Sequence, residues 1–553
     1  MADFDFAAFK SRSAVQNEEL LNEAGVHDAV KTAVAASSKP ASTSSSKGPR
    51  AKAASKKRKA EDVVSEGPVR RSMRGATMAA SAGTQKEKEE ALALAQKQKE
   101  EEEEKRKEEE RRLKHDDREI EAQTGVTGVS DNDSLREMLK EMAGFSLDDA
   151  DRVKVEKGKR PAAGTDKLKK ATADLDLRAI VKIIPDRIYS MTVHPTPDRD
   201  IVFAGDKSGR IALWDCTDAG KSLPAGSNGA IRDCATNGMD EDEEGADADD
   251  EEKQQWGKWW IWQGHSSASI SALKFRPNNT KQIYSSGYDC TLRSHDFERG
   301  ISEEIIDCDR WADEGLIHSF DFDPTGNELW VSDHQGGLIF RDLRESKDKA
   351  KRWDIDRAKV GCISLNQANP NMAVTAHLKR TMRLWDLSVV RGLPEDTADD
   401  DLVEQACVAE YSYDKACSSA YFDATGTRLL STSYDDNLRI WDIDPNKLSG
   451  YPEGQKWKPT KAIKHNCQVG RYVTVLRAHW SSVPSTPPHL FVGDMHRTLD
   501  VYSTDGTRVK AFDNEAITAV PAVTAAHPTI AGKYFGGAAS GKVSFWTTPL
   551  EEE

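Results

Sequence analysis

Apolar and polar positions follow one repeated order from Arg187 to the end of the chain. Each repeat has an apolar strand that ends near a proline or glycine, a second strand, a tight polar turn, and a third strand that closes on an aromatic or polar residue. The closing positions, which lie 44 to 81 residues apart, are Trp214, His295, Arg341, Trp385, Trp441, Tyr502 and Trp546. This spacing is typical of four-stranded blades of about 40–45 residues with insertions. The pattern predicts an all-β fold, a seven-bladed β-propeller.

One more apolar strand, residues 178–184, precedes the first repeat. A propeller ring leaves no free sheet edge when a strand from one end of the chain completes the blade formed by the other end. We therefore expect residues 178–184 to complete the last blade.

Residues 1–173 lack the repeated pattern. All 13 Trp and all 11 Tyr lie after residue 188, so this part has little apolar surface to offset a backbone ordering cost of roughly 1–2 kcal/mol per residue. We predict a long, mostly disordered, charged N-terminal region at 1–173, followed by the propeller at 174–553.

Two short helices are expected within the N-terminal region. Fifteen of the sixteen residues from Lys97 to Arg112 are charged, which favours a solvated helix with i,i+4 ion pairs. Ser134 and Glu137 form a capping box. The apolar residues that then share one helical face are Leu135, Met138, Leu139 and Met142. This face must pack on the propeller or on a partner, and the sequence leaves both open.

The net charge of −15 is unevenly distributed. Ten of the thirteen residues from Asp240 to Glu252 are acidic, and we expect residues 217–255 to form an acidic loop insert. The eight cysteines have no paired spacing and no nearby histidine at metal-ligand spacing, so we expect no disulfide, no metal and no cofactor. No apolar run reaches the ~18–20 residues of a membrane span, and we expect a soluble monomer.

A cluster of four cations, Lys56, Lys57, Arg58 and Lys59, lies in a Ser/Ala/Pro-rich part of the chain. Adjacent cations on an extended chain suit the acidic grooves of nuclear import receptors, which predicts a nuclear protein. A solvated basic run or a loose phosphate-binding arm is the alternative.

The repeats resemble the WD-repeat family over about 370 residues. In that family a His, a Ser or Thr, an Asp and the closing Trp form a structural hydrogen-bond chain. Blade 2 keeps Gly264-His265, Ser285 and Asp289 but has His295 in place of Trp. Blade 5 keeps Thr432, Asp435 and Trp441. Because such residues recur at the same place in successive blades, we interpret them as scaffold and predict no catalytic residues and no enzyme.

The turn position six residues before the closing residue is Asp in only two blades. The other turns place cations and histidines on the face of the ring where these turns gather. We expect eight of these residues to converge around the channel mouth, namely Lys207, Arg210, His334, Lys379, Arg380, His496, Arg497 and Lys542. We expect aromatic rings near the same rim from Tyr288, Trp311 and Tyr434.

Cations that displace counterions and rings that stack exposed bases are what DNA or RNA binding needs. Two alternatives remain. Neighbouring carboxylates can neutralise the face, and the candidates are Asp206, Asp333, Asp436 and Asp494. The face can also bind an acidic protein partner or histone tails.

Residues 329–344 in blade 3 resemble the box with which WD-repeat substrate receptors dock on the damage-binding adaptor of cullin ubiquitin ligases. Asp342 and Arg344 match the Asp of that box and its Arg. Arg341 departs from it, because the box has Trp there. We expect Arg344 on the face opposite the cations, and an ordinary surface arginine is the alternative.

Several longer segments, among them RIYSMTVHPTPDRDIVFAGDKSGRIALWD, SSGYDCTLRSHDFE and IKHNCQVGRYVTVLRAHW, resemble the fungal "changed mutation rate" family of WD-repeat DNA damage-binding proteins. That family is similar to the small, lesion-recognising subunit of the UV-damaged-DNA-binding complex. The resemblance implies a nuclear protein that binds double- or single-stranded DNA, with a preference for damaged DNA, and acts in the damage response. The alternative function is a nuclear interaction scaffold, either a ubiquitin ligase receptor or a histone-binding module.

Overall fold

The computed structural model describes residues 104–105, 108, 111–112, 114–124, 128–145, 156–220, 230–232, 256–277, 279–311, 315–395, 400–470, 472–481, 483 and 485–549. The predicted import signal at Lys56, Lys57, Arg58 and Lys59 and most of the acidic insert lie outside these residues. The described residues of the segment Lys97–Arg112 are helical, and Glu108 pairs with Arg111 and Arg112 at 3.0 and 3.2 Å.

Seven antiparallel sheets make up the predicted seven-bladed propeller. Within each sheet the strands follow one another from the inside of the ring to the outside, and we call them inner, second, third and outer. Each inner strand contacts the inner strands of both neighbouring blades, and that of blade 7 contacts that of blade 1. The ring is therefore closed.

The first three blades each have four strands in this order. Blade 1 consists of Ile188–Val193, Ile201–Asp206, Arg210–Asp215 and Lys258–Gln263. Blade 2 consists of Ile270–Arg276, Asn279–Gly287, Thr291–Asp296 and Ile301–Asp307. Blade 3 consists of Ile317–Phe322, Glu328–Asp333, Gly337–Asp342 and Lys351–Asp354.

Blades 4 to 6 repeat the arrangement. Blade 4 consists of Val360–Leu365, Met372–His377, Thr381–Asp386 and Cys407–Ser412. Blade 5 consists of Cys417–Phe422, Arg428–Ser433, Asn437–Asp442 and Lys461–Lys464. Blade 6 consists of His479–Ser481, His489–Gly493, Leu499–Ser503 and Arg508–Phe512.

Blade 7 is built from both ends of the propeller sequence. Its first three strands are Val523–Ala526, Tyr534–Gly537 and Lys542–Thr547. Its fourth strand is Asp176–Lys182, which pairs antiparallel with Lys542–Thr547. This confirms the prediction that the strand before the first repeat completes the last blade. Ala230–Arg232, at the start of the acidic insert, adds a parallel strand to the outside of the same sheet.

Apolar residues of neighbouring blades pack face to face between the sheets. The closing tryptophans Trp214, Trp385, Trp441 and Trp546 are all 2 % exposed or less. Burying an aromatic side chain of this size removes a large apolar area from water, and seven such interfaces hold the ring together.

A helix over Asn132–Gly144, α1, packs on the propeller. It buries Leu135, Met138, Leu139 and Met142 in a cluster with blade 1 and blade 2 residues, which settles where the predicted apolar face lies. The N-cap is Asp131, whose carboxylate accepts from the N–H groups of Asp133 and Ser134. The prediction of Ser134 as the cap was wrong by three residues, because Asp131 is also a strong cap and lies earlier in the chain.

Further N-terminal segments are also attached to the ring. Strand Arg118–Glu119 adds to the outer edge of blade 2. Helix α2, Thr165–Thr172, contacts the outer strand of blade 6 and buries Leu168. The first blade strand begins at Asp176, whereas packing on the propeller begins well before residue 174.

Two other helices, α3 (Leu387–Val390) and α4 (Asp400–Ala406), connect the third and outer strands of blade 4. In the described ranges no helix is long and apolar enough to span a membrane.

Candidate nucleic-acid interface

The turns between second and third strands all lie on one side of the ring, which we call the turn face. In blades 1 to 5 the residue after the second strand donates its N–H to the residue before the inner strand. Examples are Lys207 to Arg187 at 3.0 Å and Tyr434 to Ala416 at 3.0 Å. In blade 6 Gly493, at the end of the second strand, lies against the backbone of Pro521, and in blade 7 Ala538 O accepts from Ile188 N–H. The loops that lead from one blade to the next therefore lie on the turn face as well. The predicted convergence of the turn residues on one face is what the backbone shows.

Each of these turns contains one residue with a left-handed backbone. The seven residues are Gly209, Cys290, Gly336, Arg380, Asp436, Arg497 and Gly541, with φ between 61° and 96°. A Cβ on Gly336 or Gly541 would lie 1.9 Å from a backbone oxygen, so these two blades require glycine. Arg380 and Arg497 adopt the same conformation with a side chain, which costs of order 1 kcal/mol each. Both arginines are exposed.

Three of the predicted turn-face residues are bound to carboxylates. Lys379 Nζ lies 2.7 Å from Asp356, and Arg210 lies 3.3 Å from Asp186 and 3.7 Å from Asp206. His496 Nδ1 lies 2.5 Å from Asp494. Partial neutralisation, the alternative raised by the sequence, applies to these residues.

Lys207, Arg380 and Arg497 differ from them. They are exposed, and within the described ranges none of the three has a carboxylate at ion-pairing distance. Arg380 makes only a long contact, 3.5 Å, to the backbone oxygen of Asp414. Lys542 lies in the corresponding turn of blade 7 and is half-buried. The turn face thus carries free positive charge, but fewer free cations than were predicted.

The channel mouth on this face contains the predicted Tyr288 and His334, joined through a buried histidine. His318 Nδ1 lies 3.1 Å from the Tyr288 hydroxyl, and its Nε2 lies 3.3 Å from His334 Nδ1. Burial, together with Lys359 and Arg477, lowers the pKa of His318 to about 2, so this imidazole is neutral. Tyr434 is half-buried in the tip of blade 5.

Two cations at the mouth, Lys359 and Arg477, were missed in the sequence. Arg477 interacts electrostatically with Tyr421 of blade 5, Cys362 of blade 4 and Tyr288 of blade 2. Blades 2 and 5 are not neighbours and meet only around the axis, so Arg477 lies in the channel. Lys359 directly precedes the inner strand of blade 4, and burial and then Arg477 lower its pKa to about 8.

The apolar pattern of residues 472–480 predicts one continuous inner strand, and for that reason Arg477 was missed. Only His479–Ser481 forms a strand. The preceding residues cross the mouth instead, where Thr474 Oγ1 donates to Ile188 O at 2.7 Å and Ser418 Oγ donates to Leu476 O at 3.2 Å. Lys359 could have been identified from the sequence, because it lies in a loop between two blades and such loops lie on the turn face.

Large apolar side chains are exposed on the turn face too. Tyr472, in the segment that crosses the mouth, is 74 % exposed, and Leu378, beside Lys379, is 58 % exposed. Trp311 was predicted at this rim but packs at the boundary between blades 2 and 3. The Arg310 guanidinium lies 5.1 Å from its ring centre and donates to Lys347 O.

The catalytic-looking residues of blade 2 form the predicted structural chain. His265 Nδ1 lies 2.9 Å from Asp289, its Nε2 lies 2.8 Å from Ser285 Oγ, and that hydroxyl lies 2.8 Å from His295. Ser285, His265 and His295 are 0 % exposed, so no substrate can reach this serine.

The corresponding prediction for blade 5 was wrong. Trp441 Nε1 donates to Trp457 O at 3.5 Å, Thr432 Oγ1 accepts from Ala478 N–H, and Asp435 pairs with Arg439. The chain is complete in blade 4 instead. There Trp385 donates to Thr375, Thr375 lies 2.6 Å from His377, and His377 lies 2.9 Å from Asp356. The spacing differs because Asp356 comes from the loop between blades.

The candidate adaptor-docking pair lies on the face opposite the turns. Leu343 N–H donates to Asn327 O, which places this loop beside the turn between inner and second strands. Arg344 is exposed and donates to Asp342 at 2.9 and 2.6 Å. Arg341, which replaces Trp, donates to the backbone oxygen of Glu345 at 3.1 Å and so has a structural role.

Two described groups have the residue types of a metal site. In the buried group, Asp500 accepts from Arg508 at 2.7 Å and from the Tyr502 hydroxyl at 3.2 Å, and His465 Nε2 lies 3.0 Å from Gly493 O. These oxygens and nitrogens already have partners, which indicates a structural network.

Comparison with known proteins identifies two of the repeats and relatives that cover about two thirds of the chain. The family "WD domain, G-beta repeat" matches residues 258–296 and 405–442. "DNA damage-binding protein CMR1" of Cryptococcus neoformans is 33 % identical over 441 residues, covering 69 % of this chain and 71 % of that protein. Its namesakes in Mycosarcoma maydis and Neurospora crassa are 30 and 32 % identical and cover 68 and 66 % of this chain, and 72 and 65 % of their own lengths.

Proposed function

Because this chain belongs to the family of fungal DNA damage-binding proteins CMR1, we propose that it binds DNA through the turn face of its propeller and prefers damaged DNA. The observation that carries this proposal is the combination of unpaired arginines and exposed apolar side chains on that face. Arg380, Arg497, Tyr472 and Leu378 are its central residues.

The arginines supply affinity. Cations that neutralise phosphates release condensed counterions, and arginine binds phosphate oxygens with two parallel N–H groups. Arg380 and Arg497 adopt a backbone conformation that favours glycine, so the fold itself does not select arginine there. Backbone strain that persists at such a position supports a binding role.

Tyr472 and Leu378 supply the preference for damage. An exposed ring can stack on an unpaired base, and an apolar wedge can enter a base step. Unstacking costs a few kcal/mol less where pairing is already broken. A lesion therefore lowers the cost of the contact that these two side chains make.

A gel-shift titration of the full chain tests the proposal, with intact and ultraviolet-irradiated duplex at several salt concentrations. In the double variant Arg380→Gly and Arg497→Gly, we expect affinity for both duplexes to fall at least tenfold and the salt slope to fall by about 2. Its free energy of unfolding should change by less than about 1 kcal/mol, because the strain relieved at each turn is offset by the greater backbone freedom of glycine in the unfolded chain. Arg344→Gly, on the opposite face, is the matched control and should bind as the unchanged chain does.

The variant Tyr472→Ser tests the preference for damaged DNA separately from the affinity for DNA in general. We expect intact duplex to bind as before and irradiated duplex to lose its advantage. If the double arginine variant binds with an unchanged salt slope, the turn face is not the DNA site.

The interaction-scaffold alternative has one supporting observation, the exposed Arg344 on the opposite face. To bind this guanidinium, an adaptor would have to replace Asp342 as its ion-pair partner. A pull-down after nuclease treatment distinguishes the two functions: an adaptor or histone partner that persists without DNA and is lost in Arg344→Ala supports a scaffold. A nuclear location follows from DNA binding and from Lys56, Lys57, Arg58 and Lys59, and replacing these four residues should move the protein out of the nucleus.

A further inference from the structure

Lys359 and Arg477 form a pair of cations inside the channel mouth. Lys359 directly precedes the inner strand of blade 4, where its backbone oxygen accepts from Leu378 N–H at 3.1 Å, and Arg477 lies in the segment that crosses the mouth. The electrostatic interaction of Arg477 with both Lys359 and His318 agrees with this placement. Both are half-buried. Two like charges that are partly removed from water repel each other and favour an anion between them.

No acid of the channel is available to them in the described part of the chain. Asp321, on the inner strand of blade 3, already binds Lys274 at 2.8 Å and accepts from Leu365 N–H at 2.9 Å. Burial and Arg477 account for the shift of Lys359, and the main partners of Arg477 are Tyr421, Cys362 and Tyr288. The two positive charges are therefore not balanced by a carboxylate there.

The position of Arg477 is fixed on both sides. Leu476 O accepts from Ser418 at 3.2 Å, and Ala478 N–H donates to Thr432 Oγ1 at 3.0 Å. The neighbouring Tyr288 hydroxyl is held by His318. The backbone of Arg477 is thus fixed before any ligand arrives, which lowers the ordering cost of binding.

We propose that Arg477, Lys359 and the Tyr288 hydroxyl form a recessed site for a phosphate monoester, and that its ligand is the terminal phosphate of a DNA strand. A phosphate monoester carries about −1.5 to −2 charges at neutral pH, which matches two cations, whereas a carboxylate or an internal phosphodiester carries one. Tyr288 adds a hydroxyl that can donate to a phosphate oxygen.

The choice of a strand end rests on the proposed function, because Arg380 and Arg497 then hold DNA around the same mouth. An internal phosphate of a stiff duplex stays on the outside of the rod and does not enter a narrow channel. A terminal phosphate at a break has no such restriction.

Calorimetric titration of the full chain with inorganic phosphate tests the site itself. We expect one phosphate to bind, with affinity at least tenfold weaker in Lys359→Gln and in Arg477→Gln and unchanged in Arg344→Gln. The site is overturned if phosphate does not bind, or if the Lys359 and Arg477 variants bind phosphate as tightly as the unchanged chain does. Lys359→Gln alone carries the measurement if Arg477→Gln does not fold, as judged by circular dichroism.

Binding of a nicked duplex with a 5′-phosphate or a 5′-hydroxyl at the break tests the ligand. We expect at least a tenfold preference for the phosphate, and Lys359→Gln should bind both forms as the unchanged chain binds the hydroxyl form. Equal affinities in the unchanged chain overturn the strand-end assignment even if inorganic phosphate binds. If the proposed function itself fails, neither nicked duplex binds, while the phosphate titration still reports on the site.

Discussion

Each face of the ring has a group of three cations, and the two groups differ in their partners. On the opposite face Arg199, Arg344 and Lys533 each lie 2.6 Å from a carboxylate, of Glu141, Asp342 and Asp200. On the turn face the exposed cations without a described carboxylate partner are Lys207, Arg380 and Arg497. Lysine and arginine therefore serve packing in these three pairs of the opposite face, whereas the three turn-face cations are free for a ligand, unlike the paired Lys379 and Arg210 on the same face.

The comparison shows why net charge says little about binding. A chain with a net charge of −15 still presents free cations on one surface, since its acids are unevenly distributed along the sequence, ten of them between Asp240 and Glu252. The local electrostatic field at a face, and not the net charge of the whole chain, decides which ligand approaches that face.

The largest expected effect comes from breaking an ion pair of the opposite face. Asp200 is 4 % exposed and binds Lys533, which joins blade 1 to blade 7. Asp200→Ala leaves a partly buried ammonium without its partner, and we expect the free energy of unfolding to fall by about 3–4 kcal/mol. Chemical denaturation measures the loss.

DNA affinity of the Asp200→Ala protein should stay unchanged at a temperature where it is folded. A variant that keeps its stability but loses DNA binding would reverse the roles that we assign to the two faces.

A buried histidine of the opposite face should make stability depend on pH. Burial lowers the pKa of His194 from 6.5 to about 4, and the neutral ring lies 3.1 Å from Thr280 O and accepts from Thr196 N–H. The unfolded chain then binds the proton first. Stability is fully present above pH 6.5 and falls as the pH drops toward 4, by roughly 3 kcal/mol for this residue.

Denaturation of the unchanged chain and of His194→Gln at pH 7 and at pH 4.5 measures this contribution. Glutamine can both donate and accept at this position, so the variant should fold but show a smaller loss on acidification. Identical losses in the two proteins would contradict the assignment.

The fold could be predicted because its signals are local and repeated. The seven closing residues and the strand before the first repeat each lie in short apolar segments. All of these segments form strands of the blades in the folded protein. Predictions failed where a contact between residues far apart in the sequence determined the hydrogen-bond partner. Asp356 reaches the blade 4 chain from a loop between blades, and Trp441 donates to Trp457 instead of to Thr432.

The candidate site could be predicted in part for the same reason. The turns of one face follow from strand order, so the place of Arg380 and Arg497 could be inferred. The place of Arg477 could not, because Thr474 bonds to Ile188 across the mouth and draws its segment out of the strand. Which turn cations are neutralised also depends on neighbouring loops, as Asp356 shows for Lys379.

The smallest and sharpest test compares two adjacent residues of one turn. Lys379 is bound to Asp356 at 2.7 Å, whereas Arg380 has no described carboxylate partner. We expect Arg380→Gln to weaken DNA binding about fivefold and to lower the salt slope by about 1, since one phosphate contact is lost. Lys379→Gln should weaken binding by about twofold or less, with the slope unchanged.

The reason is that counterions are released only by charges that contact phosphates. Lys379 already compensates Asp356, and its removal alters only the longer-range field, which salt screens within about 10 Å. The two variants differ by one position on the same exposed turn, so the change is made at nearly the same place on the face. If Lys379→Gln lowers the salt slope as much as Arg380→Gln does, pairing with Asp356 does not decide which cations bind DNA, and the contrast between the two faces loses its physical basis.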